Sequence, residues 1–272
     1  MHDVAIITAT YNKLFDSCLQ SVRKILDTSP LKVAYVVVDN GSTKIDAHTQ
    51  VKQVIPEAEV ILRAENHGMG RSCNLAVKEV EAQYYFFLNP DTDVPDPTII
   101  KQLHDFLESH PQAGIVAPRL LYPNGDLQMT CRRFPRWYSP IAERTTLLSE
   151  STRTKHRTEF HMEDFTHVSR RMVDWVQGSA FMISAELFEE IGGFDDRYHL
   201  YYEDVDLCRE VWNRGRPVYY LPHVTMTHAY GKGSKDERGI VKGILYNPAT
   251  RYHIASWLKY QWKWWNKKGY VV

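Results

Sequence analysis

Cysteine is scarce in this chain. The four in 272 residues, Cys18, Cys73, Cys131 and Cys208, lie far apart, with no CxxC and no Cys/His pairing at zinc spacing. They read as reduced thiols of a reducing compartment. A run of 18 apolar residues is missing too, and Met1-His2-Asp3-Val4-Ala5-Ile6-Ile7 places no basic stretch ahead of a long apolar one. Neither a membrane span nor a secretory leader is expected, and the protein is expected in the cytoplasm. An excess of either charge is absent, because 33 Lys and Arg balance 33 Asp and Glu. No nucleic acid partner is therefore expected. What remains is an ordinary globular composition, 43% hydrophobic and 24% charged, large enough to bury a core without disulfide staples.

The charge balance hides an asymmetry. After Glu237 there is no further Asp or Glu, whereas Arg238, Lys242, Arg251, Lys259, Lys263, Lys267 and Lys268 add seven positive charges to the tail. The body is thus acidic and the tail basic.

Through residue 118, short apolar runs alternate with amphipathic stretches, the pattern of βα units on a mostly parallel sheet. Strands are predicted at Val4–Thr8, Ala34–Val38, Val60–Leu62, Tyr84–Leu88 and Ile115–Ala117, and helices at Leu14–Leu26, Asp46–Val54, Arg71–Val80 and Thr98–Ser109. From Tyr122 to Val173 the pattern fades and arginines become frequent, as in a functional lid or mobile connection. It resumes with a strand at Trp175–Ser184, helices at Ala185–Ile191 and Glu203–Arg214, and a strand at Val218–Leu221.

Open α/β sheets bind ligands beyond the carboxyl ends of their strands, so the residues following each strand carry the chemistry. Leu88-Asn89-Pro90-Asp91-Thr92-Asp93-Val94-Pro95 holds two carboxylates at i and i+2 between prolines. They can bind one hard cation, Mn2+ or Mg2+, or form only a solvated turn. Thr8-Ala9-Thr10-Tyr11-Asn12 offers hydroxyls and an aromatic face after the first strand. Asp39-Asn40-Gly41 can accept from a ribose hydroxyl or a base N–H, or be an Asx turn. Asn66-His67-Gly68-Met69-Gly70-Arg71 opens a helix with a glycine-rich backbone and a fixed charge. The first strand lacks glycine, which argues against a dinucleotide oxidoreductase. In Tyr202-Glu203-Asp204-Val205-Asp206-Leu207, one acid can deprotonate a hydroxyl nucleophile, or all can serve as first-turn helix stabilisers. His228 is either a structural imidazole or a partner to Asp91 and Asp93, a mixed set that favours manganese.

Taken in order, these motifs, with Gly192-Gly193-Phe194-Asp195, resemble the family-2 glycosyltransferases of GT-A fold that act in bacterial polysaccharide assembly. The segment Gln128-Met129-Thr130-Cys131-Arg132-Arg133-Phe134-Pro135 is similar to one in rhamnosyltransferases that use dTDP-rhamnose. The resemblance implies a Rossmann-like, mostly parallel mixed sheet flanked by helices, with a C-terminal helical appendage. It divides the chain into a catalytic domain at 1–237, with a nucleotide half at 1–118 and an acceptor half at 119–237, and a tail at 238–272. It implies an inverting, divalent-metal-dependent transferase with Asp204 as base. The donor would be a dTDP- or UDP-sugar, and the acceptor a saccharide or a polyprenyl-diphosphate-linked one. The expected nucleotide-sugar site is Thr8, Thr10, Tyr11, Asp39, Gly41, Asn66, Gly68, Arg71, Asn89 and Asp91; the metal set is Asp91, Asp93 and His228; Glu203 stands beside Asp204 as a second catalytic candidate. A nucleotidyltransferase acting on sugar phosphates and a non-catalytic nucleotide-sugar-binding protein are the rivals.

Four of the seven tryptophans fall between 257 and 265. Helical spacing groups Ile254, Trp257, Leu258, Gln261, Trp264 and Trp265 on one face and Lys259, Lys263 and Lys267 on another. Such a helix either rests on an anionic membrane surface or packs its aromatics back on the domain.

Overall fold

The computed structural model describes residues 1–229, 246–265 and 267, and the backbone alone at Arg144. The start of the expected tail, 238–245, and Lys268 lie outside the described residues.

The N-terminal half follows the alternating pattern: β1 (His2–Thr10), α1 (Asp16–Thr28), β2 (Val33–Asp39), α2 (Ala47–Val54), β3 (Glu59–Leu62), α3 (Met69–Ala76), β4 (Ala82–Leu88), β5 (Thr92–Asp93), α4 (Ile99–Ser109) and β6 (Ile115–Leu121). Strands β3, β2, β1 and β4 run parallel to their neighbours, with Thr10 opposite Asp39. Strand β1 is apolar at consecutive positions because both its faces are covered. Val4 and Ile6 join one core cluster with α1, α2 and α4, while Ala5 and Ile7 join the other with α3 and with Leu187, Phe188, Val205 and Val211 from later in the chain.

The arginine-rich connection is more structured than expected. It contains β7 (Cys131–Arg132), α5 (Ser139–Arg144), α6 (Glu150–Phe160) and β8 (Arg171–Val173). The single strand expected at Trp175–Ser184 is two: β9 (Trp175–Val176) pairs with β7, and β10 (Ala180–Ser184) enters the main sheet antiparallel to β4 and β6. The break at Gln177–Ser179 lets the chain change sheets. Helices α7 (Ala185–Ile191) and α8 (Glu203–Asn213) follow, then β11 (Val218–His228) and α9 (Pro248–Trp264). Strand β11 runs seven residues past its expected end because a bulge between Leu221 and Thr225 lets pairing with β6 resume, which carries His228 on the strand.

Helix α9 packs its inner face on the body. Tyr260 and Trp264 are buried in the same cluster as α8, and Trp257 packs against it. The face expected from spacing is therefore corrected: Leu258 and Trp265 point outward, whereas Lys263 points inward to Asp195, Asp206 and Glu210. Those acids in the body supply the physical reason. No helix of the described residues is long and apolar enough to cross a membrane.

Candidate active site

The loops after β1, β2 and β3 are tied together by asparagine side chains. Asn40 donates to Asn66 Oδ1 (2.8 Å) and accepts from the His67 amide (3.0 Å), and Asn66 Oδ1 also accepts from the Gly68 amide (2.9 Å). Asn12 Oδ1 accepts from the amides of Thr43 and Lys44 at 2.7 and 2.8 Å. Asp39 Oδ1 accepts from the Ser42 amide (2.9 Å), so the turn and the expected nucleotide carboxylate are one feature. Gly41 packs against the backbone of Glu65, and Gly68 sits at φ +93 where a Cβ would meet the His199 carbonyl oxygen at 2.0 Å. Only glycine allows that approach.

Several expected ligands are placed otherwise. Thr8 and Thr10 are buried; Thr8 accepts from the Tyr35 hydroxyl (3.3 Å) and Thr10 donates to the Lys13 carbonyl, so both shape the floor of the loop. A strand buried on both faces turns these hydroxyls inward. Tyr11 is 49% exposed and presents its ring at the rim. Arg71 donates through Nε and Nη2 to the Asp196 carbonyl (3.1 and 2.8 Å), clamping the Gly-Gly-Phe-Asp loop against α3. Asn74, which spacing did not single out, clasps Phe194 through two hydrogen bonds of 2.8 and 2.9 Å.

Beyond β4, Asp91 is almost buried. Its Oδ2 accepts from Lys13 Nζ at 2.7 Å, and its Oδ1 lies 3.2 Å from His228 Nε2. Burial alone would raise the Asp91 carboxyl, but His228 and Lys13 hold it below its ordinary range. Asp93 does not join them. The turn closed by the Thr92 amide on the Asn89 carbonyl (3.1 Å) breaks the strand alternation that would have put both acids on one face. Among the described residues, no group of three or more His, Cys, Asp or Glu side chains could hold a metal ion, so the expected trio of Asp91, Asp93 and His228 is not assembled.

The Asp91 and His228 pair nevertheless fits a divalent cation. Gln128 Nε2 donates to the His228 carbonyl (2.6 Å), which turns Gln128 Oε1 toward His228 Nδ1 at 3.0 Å. Nδ1 therefore donates to Gln128 Oε1, and Nε2 is left facing the Asp91 carboxylate, where a cation could take both. A metal-binding imidazole is oriented in this way by a partner on its other nitrogen.

Asp204 begins α8. Its Oδ2 accepts from the Gly178 amide (2.9 Å) and its Oδ1 from the Val205 amide (2.8 Å). Burial raises its carboxyl, opposed by these two amides and by the positive charge of Arg132. The next residue after Gly178, Ser179, accepts through its carbonyl from the Asn89 amide (2.9 Å). A two-residue bridge thus joins the Asp91 loop to Asp204. Segment 128–132 runs alongside, with Gln128 at His228 and Arg132 at Asp204. Glu203 is not a second accessible base: it is 5% exposed, its Oε2 has no hydrogen-bond partner, and burial with the adjacent Asp204 pushes it up to about 8.

The corner ahead of Asp204 is strained, because Tyr201 and Tyr202 both take left-handed backbone (φ 67 and 70). Helix α9 braces it. The His253 ring packs tilted against Tyr201 (5.1 Å) and edge-on to Tyr202 (5.4 Å), Ser256 donates to the Leu200 carbonyl (2.9 Å), and Lys259 donates to the Arg197 carbonyl (2.7 Å). Lys263 reaches Asp206 at 2.6 Å and Asp195 at 2.9 Å.

A helix-flanked mixed sheet, with a carboxylate–imidazole pair and a raised carboxylate beyond its strand ends, defines a protein of GT-A fold. In agreement, a mannosyltransferase from Pyrobaculum calidifontis, solved in complex with GDP-Man and Mn2+, superposes with TM-score 0.56 at 16% identity, over 92% of this chain and 68% of that one. Residues 5–173 match the profile of glycosyl transferase family 2, and the chain belongs to that family. It is 25% identical to the N-acetylglucosaminyl-diphospho-decaprenol L-rhamnosyltransferase of Mycobacterium tuberculosis, over 72% of this chain and 66% of that relative, just under two thirds of its length. It is 26% identical to rhamnosyltransferase WbbL of Escherichia coli over 71% of this chain and 70% of that one. With the dTDP-rhamnosyl transferase RfbF of Shigella flexneri it shares 22% identity over 92% of this chain and 77% of that one.

Proposed function

We propose that the chain is an inverting glycosyltransferase that moves a sugar, rhamnose by the names of its relatives, from a dTDP- or UDP-linked donor to an acceptor hydroxyl. The acceptor is a saccharide or a polyprenyl-diphosphate-linked one, in cell-surface polysaccharide assembly on the cytoplasmic side. One observation carries this reading: a half-buried Asp204 carboxylate is fixed, through Gly178 and Ser179, to the loop that holds Asp91 beyond the ends of the parallel strands.

In this mechanism Asp204 takes the proton of the acceptor hydroxyl as its oxygen attacks the anomeric carbon. The bond to the diphosphate breaks on the opposite face, so the configuration inverts and the nucleoside diphosphate leaves with the electron pair. The Gly178 and Val205 amides keep the Asp204 oxygens aimed, and its raised affinity for a proton suits a base near neutrality. Asp91 and His228 would hold Mn2+ or Mg2+, which when bound neutralises charge on the departing diphosphate. Asp39 and the Asn66–Gly68 loop face the nucleotide.

The test is nucleoside-diphosphate release from a panel of nucleotide sugars with and without Mn2+ and acceptor. Asp204→Asn is expected to bind donor normally and to lose about 10²–10⁴ in transfer rate. Near-normal turnover of that variant would remove Asp204 as the base, and pyrophosphate as the product would point to nucleotidyl transfer instead.

A further inference from the structure

Helix α9 has a second face turned away from the body's core, touched among the described residues where Tyr252 meets His199 (4.4 Å) and Lys259 meets the Arg197 carbonyl. Tyr252 is 40%, Leu258 54%, Trp262 77% and Trp265 76% exposed, and Ala255 lies open among them. Their spacing at three and four residues lines them along one stripe. Arg251 and Lys259 flank this stripe, Lys267 is exposed at its end, and no acidic residue occurs after Glu237. A contiguous apolar patch of this kind on a surface marks an interaction site.

We propose that the outward face of α9 docks on an anionic bilayer, with Leu258, Trp262 and Trp265 entering the headgroup boundary and Arg251 and Lys267 meeting lipid phosphate. Charge selects this occupant. A second copy packed face to face would set the basic side chains of one helix against those of the other, with no acid on the face to pair them. An anionic membrane surface complements them, and tryptophan is the side chain that combines apolar area with a polar edge for that boundary. The docking face lies on the same helix whose inner side braces Tyr201 and Tyr202, so membrane contact would hold the catalytic corner next to lipid. The inference rests on the lipid-linked-acceptor reading for its purpose, though not for its physical basis.

The experiment is co-sedimentation of the full chain with vesicles of phosphatidylcholine alone or mixed with phosphatidylglycerol. Wild type is expected to pellet with the mixed vesicles, less so at high salt, and to stay in solution with the neutral ones. Leu258→Ser, Trp262→Ser and Trp265→Ser combined should weaken binding at least tenfold and abolish the lipid-induced blue shift of tryptophan fluorescence. Arg251→Gln should cost about fivefold. These side chains are exposed, and an unchanged melting temperature would show that the variants fold. Equal pelleting of wild type and the triple variant would overturn the proposal, as would loss of self-association in the triple variant without any vesicle binding by wild type. Nucleoside-diphosphate release with a water-soluble acceptor is measured alongside: it judges the glycosyl-transfer reading, while the vesicles judge docking.

Discussion

Asp91 and Asp204 stand at the two ends of one site, yet the chain secures them by different means. The loops on the Asp91 side directly follow the strands and are tied by asparagine and backbone bonds among residues 12, 40, 42, 66 and 68, all in the first quarter of the sequence, while Asp91 itself also meets His228 from the far end of the sheet. The Asp204 side rests on a strained corner that is braced from 56 to 62 residues away by α9, through Ser256, Lys259 and Lys263. The first region is rigid because its turns are locally satisfied. The second depends on a distant helix remaining in place, so binding of nucleotide and activation of the acceptor should respond to different mutations.

Lys263→Met puts that separation under the largest strain. It leaves Asp206, 2% exposed, without its counter-ion, and is expected to cost about 3–5 kcal/mol in urea denaturation. Transfer should fall with the loosened corner while nucleoside-diphosphate affinity in the folded variant holds, and a parallel loss of both would erase the distinction between the two regions. Gln128→Met works from the other end. Removing the acceptor that fixes His228 should weaken Mn2+ binding in the presence of a nucleoside diphosphate by about 10–100-fold, read by the manganese EPR signal, with the ¹⁵N spectrum of His228 reporting a changed tautomer. Unaltered Mn2+ affinity would show that His228 needs no such support.

Glu203→Gln gives the smallest effect and a sign that depends on pH. The folded chain holds a proton on Glu203 up to about 8, above the ordinary value of 4.5, so the native state binds more protons than the unfolded one between them. Stability contributed at low pH is therefore lost as pH rises through that window. The glutamine variant should melt like wild type near the acid end and be more stable by about 1–3 kcal/mol above pH 8. An unchanged pH slope would place the Glu203 carboxylate outside the buried environment described for it.

The parallel strands of the N-terminal half were legible in the sequence because a strand covered on both faces must be apolar at consecutive positions, as Val4–Ile7 and Val36–Val38 are, whereas their order in the sheet was not. The Asp91 and Asp204 motifs stood out because one follows a strand and the other opens a helix, whereas His228, expected after a strand, lies at the end of β11. Thr8 and Thr10 misled, since a hydroxyl at a strand end has no sequence mark that tells floor from ligand. Lys13, Asn40, Asn74 and Gln128 were missed as site residues for a related reason. Their roles arise from partners 26 to 120 residues away, and the Gln128 segment carried a likeness to relatives but no spacing that revealed a bond to His228. The orientation of α9 was misjudged because helical periodicity ranks Lys263 as a surface cation, and only the acids on α8 and its preceding loop show that it faces inward.

Gly178 and Ser179 give the site a fixed calliper. One arm, the Ser179 carbonyl, holds the loop from which the diphosphate would depart, and the other, the Gly178 amide, holds the carboxylate that would receive the proton. Neither arm can shift alone. A side chain at Gly178 would meet Met69 Cε at 3.2 Å and Asp204 Cβ at 3.3 Å, so it would press on Asp204 and on α3 together. In the proposed mechanism the span between leaving group and nucleophile would be set by these two consecutive residues, and acceptors of different shape would be accommodated by the loops around that span.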